Sequence, residues 1–337
     1  MKKILITGAA GTIGTACCEY FIRNGYYVIG IDNDYRGRIL GPEASIKKNK
    51  EYLINKYSDL EFYDFDISED NKIEEILGNH KVKALIHCAS QPSHPKSIEI
   101  PYADFINNVV NTVKLLEILK NKSKDTVFVF CSSNKVYGEN PNSFELVESE
   151  TRYNFKDIIG IDETCSLDHT LHTPLGASKL AADIYTQEYL RLYDLPAGVF
   201  RLSCVTGIYA KAIESHNWIP YIINKIKNQE VIKIFGYKGK QVRDIIDASD
   251  VAKVFDLFIN NPAKDNVFNL GGGAENSISI LELIKIIENQ FGCRVQKDFL
   301  DKRMGDHCVY ISDNTKIENL YNFKPTLSYK SIIKNFI

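Results

Sequence analysis

The feature that most constrains the fold is a short apolar run that ends in closely spaced glycines. Residues 4–7 form the run, which predicts a buried strand. The glycines that follow have the spacing GxxGxxG and are Gly8, Gly11 and Gly14. Residues 15–22 show the apolar periodicity of a helix, and residues 26–31 form a second apolar run. Together these segments predict a strand, a tight glycine turn, a helix and a second strand.

The turn has the properties that a dinucleotide pyrophosphate requires. Glycine lets the backbone approach the phosphates closely, and the N-terminus of the following helix offers free N–H groups. Asp32 lies at the tip of the second strand, 18 residues after Gly14. A carboxylate there accepts hydrogen bonds from the adenosine ribose hydroxyls and repels a 2′-phosphate, so the sequence predicts NAD as cofactor. Arg36 and Arg38 follow closely and weaken this preference for NAD over NADP a little.

The alternation of strands and helices continues through the first half of the chain. Further strands are predicted over 60–66, 82–89 and 126–133, with helices near 72–77 and 103–120. This order predicts an α/β fold with a doubly wound parallel sheet of the Rossmann type, which binds ligands at the carboxyl ends of its strands. Three polar or small residues end these strands: Asp66, Ala89 and Ser133.

The alternation loosens after about residue 206. A helix is predicted over 219–226, a strand over 231–235 and an amphipathic helix from Ser279, and Asp250 is expected to cap the helix that follows it. We therefore expect two parts. Residues 1–205, with about 240–270 returning to them, form the cofactor domain, whereas 206–239 and 271–337 form a smaller, partly discontinuous substrate lobe that closes over the ligand.

Composition excludes several classes of function. The 337 residues carry 41 Lys and Arg against 43 Asp and Glu, so no overall basic field attracts nucleic acid or anionic membranes. No apolar run is long enough to span a membrane, and the first one is too short for a signal peptide. The eight cysteines show no metal-binding spacing, so we expect reduced thiols, no metal and a cytoplasmic protein.

Several segments, in this order along the chain, resemble one family. They are TGAAGTIG at 7–14, HCAS at 87–90, NNVVNT at 107–112, SSNKVYG at 132–138, TPLGASK at 173–179, FRLSCVTG at 200–207, GYKGKQVRDIIDASDV at 236–251, FNLGGG at 268–273 and RMGD at 303–306. The chain thus resembles the extended short-chain dehydrogenase/reductases, in the branch of nucleotide-sugar epimerases and dehydratases. Within that branch, ETRY at 150–153 and the segments NKVYG, GASK and KQVRD are most similar to CDP-sugar 2-epimerases.

The resemblance implies a nucleotide-diphosphate sugar as substrate, NAD as cofactor and a homodimer built from the helix after NNVVNT and the helix of Lys179. It implies Ser133 and Lys179 as catalytic residues, with Lys179 also holding the nicotinamide ribose. The implied cofactor contacts are Gly8, Gly11, Thr12, Ile13, Gly14, Asp32, Asn33, Asp66, Ile67, Cys88, Ala89 and Lys179. The implied substrate contacts are Ser133, Asn134, Trp218, Arg243 and Arg303. Trp218 is equally compatible with a place in the core, and His87 and His94 are expected to be structural.

One residue departs from the family pattern. The family places a tyrosine base four residues before the lysine, and here that position is Leu175. Three interpretations follow: an epimerase or dehydrogenase with a relocated base, a catalytically weak protein that binds NAD and a nucleotide sugar, or a reaction that needs no such base. The candidates for a relocated base are Tyr137, Asp168, His169, His172, Thr173 and Cys204.

The alternative enzyme is a nucleotide-sugar dehydrogenase or dehydratase with net redox. A dehydratase of this family has an Asp-Glu pair after the serine or threonine, where this chain has Asn134 and Lys135. This difference argues against a dehydratase.

Overall fold

The computed structural model describes residues 1–69, 71–214 and 216–337. The strands in these residues are β1 Lys3–Thr7, β2 Tyr27–Ile31, β3 Leu60–Tyr63, β4 Val82–His87, β5 Val127–Ser133, β6 Leu146–Glu148, β7 Tyr153–Phe155, β8 Ala197–Leu202, β9 Cys204–Thr206, β10 Ile232–Phe235, β11 Val242–Asp247, β12 Val267–Leu270, β13 Ser277–Ser279, β14 Lys297–Leu300 and β15 Val309–Tyr310. The α-helices are α1 Thr12–Arg23, α2 Tyr35–Leu40, α3 Lys47–Lys56, α4 Lys72–Asn79, α5 His94–Glu99, α6 Pro101–Phe105, α7 Asn111–Lys122, α8 Pro174–Tyr193, α9 Trp218–Lys227, α10 Ala248–Asn260, α11 Ile280–Phe291, α12 Thr315–Tyr321 and α13 Tyr329–Lys334.

A parallel sheet of seven strands, in the order β12-β8-β5-β4-β1-β2-β3, organises the described part of the chain. Successive side chains of a strand point to opposite faces, so each buried strand supplies two cores. Ile4 and Ile6 pack on one face with Phe21 of α1, whereas Leu5 packs on the other with Leu116 of α7. The predicted doubly wound α/β fold is confirmed.

The order of the strands places the ligand crevice. The strand order reverses at β1, which lies between β2 and β4, and the carboxyl ends of these strands open a crevice there. The third strand ends at Tyr63 and the fourth at His87, so Asp66 and Ala89 follow their strands on loops instead of ending them as predicted. The predicted helix over 103–120 is divided into α6, a π-helical turn over Ile106–Val110 and α7.

Smaller sheets and a third core lie beyond β9. Strand β10 pairs with β14, and β11 pairs with β9, β13 and β15. The apolar faces of α9 and α11 pack together here around Ile223 and Leu283. Strand β12, by contrast, joins the central sheet beside β8.

The predicted cap at Asp250 is wrong. Helix α10 begins at Ala248, and the side chain that caps it is Asp247, which accepts a hydrogen bond from the backbone N–H of Ser249 at 2.8 Å. Asp250 instead accepts from the backbone N–H and the hydroxyl of Thr326 at 2.8 and 2.5 Å. Its carboxylate therefore fastens the loop before α13 to α10.

Candidate active site

A cavity of about 500 Å³ lies at the carboxyl edge of the central sheet. Its volume is within the usual range for a ligand site. All the catalytic, cofactor-contact and substrate-contact residues that the resemblance implies line this one cavity: Gly8, Gly11, Thr12, Ile13, Gly14, Asp32, Asn33, Asp66, Ile67, Cys88, Ala89, Ser133, Asn134, Lys179, Trp218, Arg243 and Arg303.

The glycine turn leaves room for a pyrophosphate. Gly8 has a φ of +68°, and a Cβ at this position would lie 2.6 Å from the backbone nitrogen of Ala89. A Cβ on Gly14 would lie 2.1 Å from the carbonyl oxygen of Gly8. No side chain caps the N-terminus of α1, where Gly11 is the capping residue. Free N–H groups at a helix N-terminus bind phosphate oxygens, so these residues fit the dinucleotide.

Asp32 follows β2 and presents a buried carboxylate to the same cavity. Its side chain accepts hydrogen bonds from the backbone N–H groups of Ala10 at 3.0 Å and Asp34 at 2.9 Å. Burial outweighs these hydrogen bonds and raises the pKa of Asp32 to about 6. The site therefore holds a carboxylate that is ionised at neutral pH. Hydrogen bonds from hydroxyl groups, such as those of a ribose, would stabilise its charged form.

The two arginines near Asp32 already have partners. Arg36 donates to the carbonyl oxygen of Lys211 at 2.8 Å, and Arg38 lies 3.9 Å from Asp66. Asn33 donates to the same Asp66 carboxylate at 2.8 Å.

Ser133 and Lys179 reach the cavity from β5 and α8. Ser133 ends β5, and its hydroxyl oxygen accepts a hydrogen bond from the backbone N–H of Lys135 at 3.2 Å. Lys179 donates to the carbonyl oxygen of Cys131 at 2.9 Å, and burial lowers its pKa. Leu175 lines the cavity one helical turn before Lys179 and is 6% exposed. The position at which the resemblance implies a tyrosine thus holds a leucine side chain, which neither accepts nor donates a proton.

The structure separates the candidates for a relocated base. Among the six named from the sequence, the cavity wall includes Cys204, and burial raises the pKa of its thiol. Tyr137 is completely buried, donates to Asn269 at 2.7 Å and has a raised pKa because of burial. His172 lies with Nε2 2.8 Å from the carbonyl oxygen of Val136. The remaining three, Asp168, His169 and Thr173, are also absent from the wall.

The wall residues that the sequence analysis missed include His94, Lys135 and Asp306. His94 was expected to be structural, but it lines the cavity with Nε2 3.0 Å from the Thr173 hydroxyl, and burial lowers its pKa to about 4. Lys135 was noted only for differing from a dehydratase, and Asp306 only as the end of RMGD. Their adjacency to Ser133 and to Arg303 was the available signal. His87 is buried between the hydroxyls of Thr7 and Thr112, at 2.7 and 3.1 Å.

Cationic side chains line the other end of the cavity. Arg243 forms an ion pair with Asp306 at 2.6 Å. The Arg243 side chain is only 12% exposed, so this ion pair is not one between solvent-exposed surface residues. Burial alone would raise the pKa of Asp306, but Arg243 and Lys135 lower it to about 2. Arg303 lies over the ring of Phe235, 3.7 Å from its centroid. The guanidinium groups of Arg243 and Arg303 give this end of the wall the chemistry that recognises a phosphate or carboxylate ligand.

Trp218 completes this end of the cavity. It lines the wall and also packs against the core between α9 and α11. Its position is therefore compatible both with a substrate contact and with a place in the core. Its indole N–H is buried without a hydrogen-bond partner.

Metal binding and membrane crossing have no support in the described residues. These residues contain no group of three or more His, Cys, Asp or Glu side chains placed to hold a metal ion. Among their helices, none is both long and apolar enough to cross a membrane.

Comparisons with known proteins give the family. Residues 4–271 match the NAD dependent epimerase/dehydratase family. The chain is 32% identical to CDP-paratose 2-epimerase of Salmonella typhi, over 97% of this chain and 96% of that protein. It is 27% identical to UDP-glucuronate 4-epimerase of Thermodesulfobacterium geofontis, over 100% and 95%.

A solved structure agrees in fold. UDP-glucose 4-epimerase of Thermotoga maritima, solved with UDP-glucose, superposes with a TM-score of 0.82 at 26% identity, over 99% of this chain and 97% of that chain. With the glycine turn, Asp32 and the cavity in place, this chain belongs to the NAD dependent epimerase/dehydratase family, and NAD is its cofactor.

Proposed function

We propose that this chain is a nucleotide-sugar epimerase, acting on a CDP-sugar at C2 by transient oxidation to a keto sugar. The observation that carries the proposal is a single cavity shared by the NAD-binding residues, the pair Ser133 and Lys179, and the cationic end with Arg243 and Arg303. The 32% identity to a CDP-paratose 2-epimerase supports this choice of substrate class.

Bound NAD supplies a hydride acceptor for the sugar carbon and later returns the hydride to the opposite face. In this proposal the Ser133 hydroxyl donates a hydrogen bond to the oxygen that becomes a carbonyl, which stabilises the developing charge. Lys179 holds the nicotinamide ribose. Arg243 and Arg303 pair with the diphosphate, for which the planar guanidinium fork is well suited.

The two parts of the chain have different roles in this proposal. Residues 1–205 with about 240–270 bind the cofactor, whereas 206–239 and 271–337 bind the nucleotide sugar and close over it. The smaller sheet of β10 and β14 and the core around Ile223 and Leu283 give the second part its own packing.

The test is proton NMR of the protein with NAD and a panel of CDP-, GDP- and UDP-sugars, with absorbance at 340 nm followed in parallel. A new sugar without accumulation of NADH is the expected result for an epimerase. Accumulating NADH would instead establish a dehydrogenase. Conversion to a deoxy keto sugar without net NADH would establish a dehydratase.

The second candidate is a catalytically weak protein that binds NAD and a nucleotide sugar, and Leu175 is the observation in its favour. Loss of a positioned acid–base group costs about 10²- to 10⁴-fold in rate. The variant Leu175→Tyr separates the two candidates. Activity that rises with tyrosine would indicate a degraded site, whereas activity that falls would show that the leucine belongs to a working geometry.

We further propose that the chain forms a homodimer through α8, as the resemblance implies, and through α6 and the π-helical turn that precede α7, instead of through α7, the helix after NNVVNT. These segments pack together and expose large apolar side chains. The exposed side chains are Tyr102, Phe105, Val110, Ile184, Tyr185, Leu192 and Tyr193. An exposed apolar face of this kind is typical of a surface that a partner covers.

A further inference from the structure

Two thiols are in contact on the wall of the cavity, and the proposed reaction uses neither of them. Cys88 directly follows β4, and Cys131 belongs to β5. Both residues line the cavity, and their Sγ atoms lie 3.5 Å apart. The other wall cysteine, Cys204, has no such contact with a second thiol among the described residues.

The parallel pairing of β4 and β5 places the two cysteines side by side. His87 is opposite Phe130 in the ladder, so the next residues along, Cys88 and Cys131, are neighbours on adjacent strands. Neighbouring strands lie about 4.7–4.9 Å apart, which is within the Cα separation of about 4.4–6.8 Å that a disulfide spans. Both thiols also point to the same face of the sheet, because both pack in the core cluster that contains Cys17 of α1. The sheet therefore holds the pair close enough to be joined by a disulfide.

A small oxidant can reach this pair through the cavity. Cys131 is 5% exposed, whereas Cys88 is half-buried and is the more accessible of the two. Both are free thiols. A cavity of about 500 Å³ has ample room for hydrogen peroxide, a molecule not much larger than water.

The pair lies between two groups that the cofactor requires. Ala89, the residue after Cys88, packs against the glycine turn, because a Cβ on Gly8 would lie 2.6 Å from its backbone nitrogen. The carbonyl oxygen of Cys131 accepts the hydrogen bond of Lys179 at 2.9 Å. In a disulfide the sulfur atoms are about 2.05 Å apart, so they must approach each other by about 1.5 Å. The strand ends that would be strained by this approach are those that contact the turn and the lysine.

The surroundings keep both thiols protonated in the absence of an oxidant. Burial raises the pKa of Cys131 and the neighbouring Cys88 adds to this, whereas Lys179 acts in the opposite direction. The hydrogen bond with Cys131 lowers the pKa of Cys88, but Cys17 and burial outweigh it, so this pKa is raised as well. Because the thiolate is the species that reacts, oxidation is slow at neutral pH and requires an excess of peroxide.

We propose that Cys88 and Cys131 are the site of a reversible disulfide, formed by peroxide, that weakens NAD binding. In the first step the thiolate of Cys88 attacks one peroxide oxygen. The O–O bond breaks, an S–O bond forms, and the leaving hydroxide takes up the proton that Cys88 lost, which gives a sulfenic acid and one water. In the second step the Cys131 sulfur attacks the Cys88 sulfur. The S–S bond forms, the S–O bond breaks, and the hydroxide leaves as a second water with the Cys131 proton.

The two thiols thus give two electrons to the peroxide, and a thiol reductant returns two electrons and two protons. This inference rests on the NAD site and not on the identity of the sugar. Binding of NAD is measured without any sugar nucleotide, so the outcome is independent of whether the proposed epimerase reaction is correct.

The first experiment identifies the bond in wild-type protein. The protein is treated with hydrogen peroxide, the remaining thiols are blocked with N-ethylmaleimide, and tryptic peptides are mapped by mass spectrometry. Trypsin places Cys17, Cys88 and Cys131 on three separate peptides, so the mapping shows which thiols are joined. We expect a linked Cys88–Cys131 peptide that dithiothreitol separates. Saturating NAD should slow its formation, because the cofactor fills the cavity through which the peroxide enters.

The second experiment measures NAD affinity by calorimetric titration before and after peroxide. In wild-type protein the affinity should fall by about tenfold, a usual size for coupling between two events at neighbouring sites, and should return with dithiothreitol. In Cys88→Ser and in Cys131→Ser the ratio of the two affinities should stay close to one. The matched control is Cys165→Ser, since Cys165 is also half-buried but lies off the cavity wall, and its ratio should equal that of wild-type protein.

Four results would overturn the inference. One is the absence of the Cys88–Cys131 peptide after treatment with excess peroxide, and another is a Cys17–Cys88 peptide in its place. The third is an unchanged NAD affinity in fully cross-linked protein. The fourth is an equal loss of affinity in Cys131→Ser, which would show that oxidation of Cys88 alone blocks the site. The mapping and the affinity ratio of wild-type protein decide the matter even if a serine variant does not fold.

Discussion

At the scale of single residues, burial decides how the polar groups of this cavity behave. Asp32, His94 and Lys135 all line the same cavity. Burial raises the pKa of Asp32 and lowers those of His94 and Lys135, and each shift favours the neutral form of the group. Asp306 is the exception, because two cations lower its pKa to about 2. The pKa of Asp66, on the same wall, is also lowered, so the cavity combines ionised carboxylates with groups whose neutral form burial favours.

The pKa of Asp32, raised by burial to about 6, predicts a pH-dependent affinity for NAD. The ionised carboxylate is an acceptor for two ribose hydroxyls, and protonation removes part of that capacity. Affinity should be highest above pH 7 and should weaken below pH 6, by at most about tenfold per pH unit. Calorimetric titration of NAD between pH 5 and 8 measures this. Asp32→Asn should bind weakly with a flat profile over this range, and an equally flat wild-type profile would contradict the prediction.

At the scale of elements, a buried ion pair joins the helix of Lys179 to the central sheet. Asp183 of α8 accepts from Arg201 of β8 at 3.0 Å, with side chains 0% and 3% exposed. The same carboxylate accepts the hydroxyl of Ser132, next to Ser133, at 2.8 Å. This network holds α8, β5 and β8 in a fixed relation, which sets the distance between Ser133 and Lys179.

Removing one partner of this pair should destabilise the protein strongly. Asp183→Ala leaves the Arg201 charge buried and unpaired, which costs about 3–5 kcal/mol in the free energy of unfolding. Urea denaturation followed by circular dichroism measures the change. The control is Glu188→Ala on the same helix, whose ion pair with Arg191 is exposed and should contribute no more than about 1 kcal/mol. Similar losses in both variants would refute the special role of the buried pair.

A second prediction at the scale of elements concerns the glycine turn between β1 and α1. In Gly14→Ala the new Cβ would lie 2.1 Å from the Gly8 carbonyl oxygen, so the turn has to open. NAD binding should therefore be lost or reduced at least about tenfold, because the phosphates depend on the close approach of this backbone. Gly25→Ala is a comparison at the other end of α1, since nothing lies within 4 Å of its Cβ, although its φ of +78° adds strain. Calorimetric titration with NAD should show retained binding in Gly25→Ala.

At the scale of the whole molecule, the cavity joins parts that are far apart in sequence. Its wall runs from the glycine turn near the start of the chain to Arg303 and Asp306 near the end. The single tryptophan of the chain, Trp218, stands on this wall. Intrinsic tryptophan fluorescence should therefore change when NAD or a nucleotide sugar binds, and a Trp218→Phe variant should lose the signal.

The exposed apolar face on α6 and α8 predicts a dimer in solution. Ile184→Glu, at a side chain that is 44% exposed, should convert the protein to a monomer because a charge would be buried in the interface. Ile54→Glu on α3, at a side chain 49% exposed, is the matched control and should leave the dimer intact. Light scattering after size-exclusion chromatography gives the mass of each. A monomeric wild-type protein would refute the proposed homodimer.

The resemblance to a family placed residues such as Trp218, Arg243 and Arg303 in the site, whereas the sequence by itself determined the fold class, the glycine turn and the acidic residue after β2. These properties follow from short-range patterns: strand and helix periodicity, glycine spacing and residues at strand ends. In a parallel sheet the carboxyl ends of all strands meet at one edge, so local patterns are enough to bring distant residues together. The chemical roles of those residues are still predictions.

Only the tertiary structure decided which side chains face one another. Asp250 has the right spacing for a cap, yet its carboxylate binds Thr326, 76 residues away. Five of the six candidate bases near Leu175 or Ser133 in sequence lie off the wall, whereas His94 and Lys135 lie on it. The position of Lys135 depends on Gly176 and Gly305, which no local pattern relates to it. Side-chain direction and long-range packing are set when the elements come together, so spacing alone does not determine them.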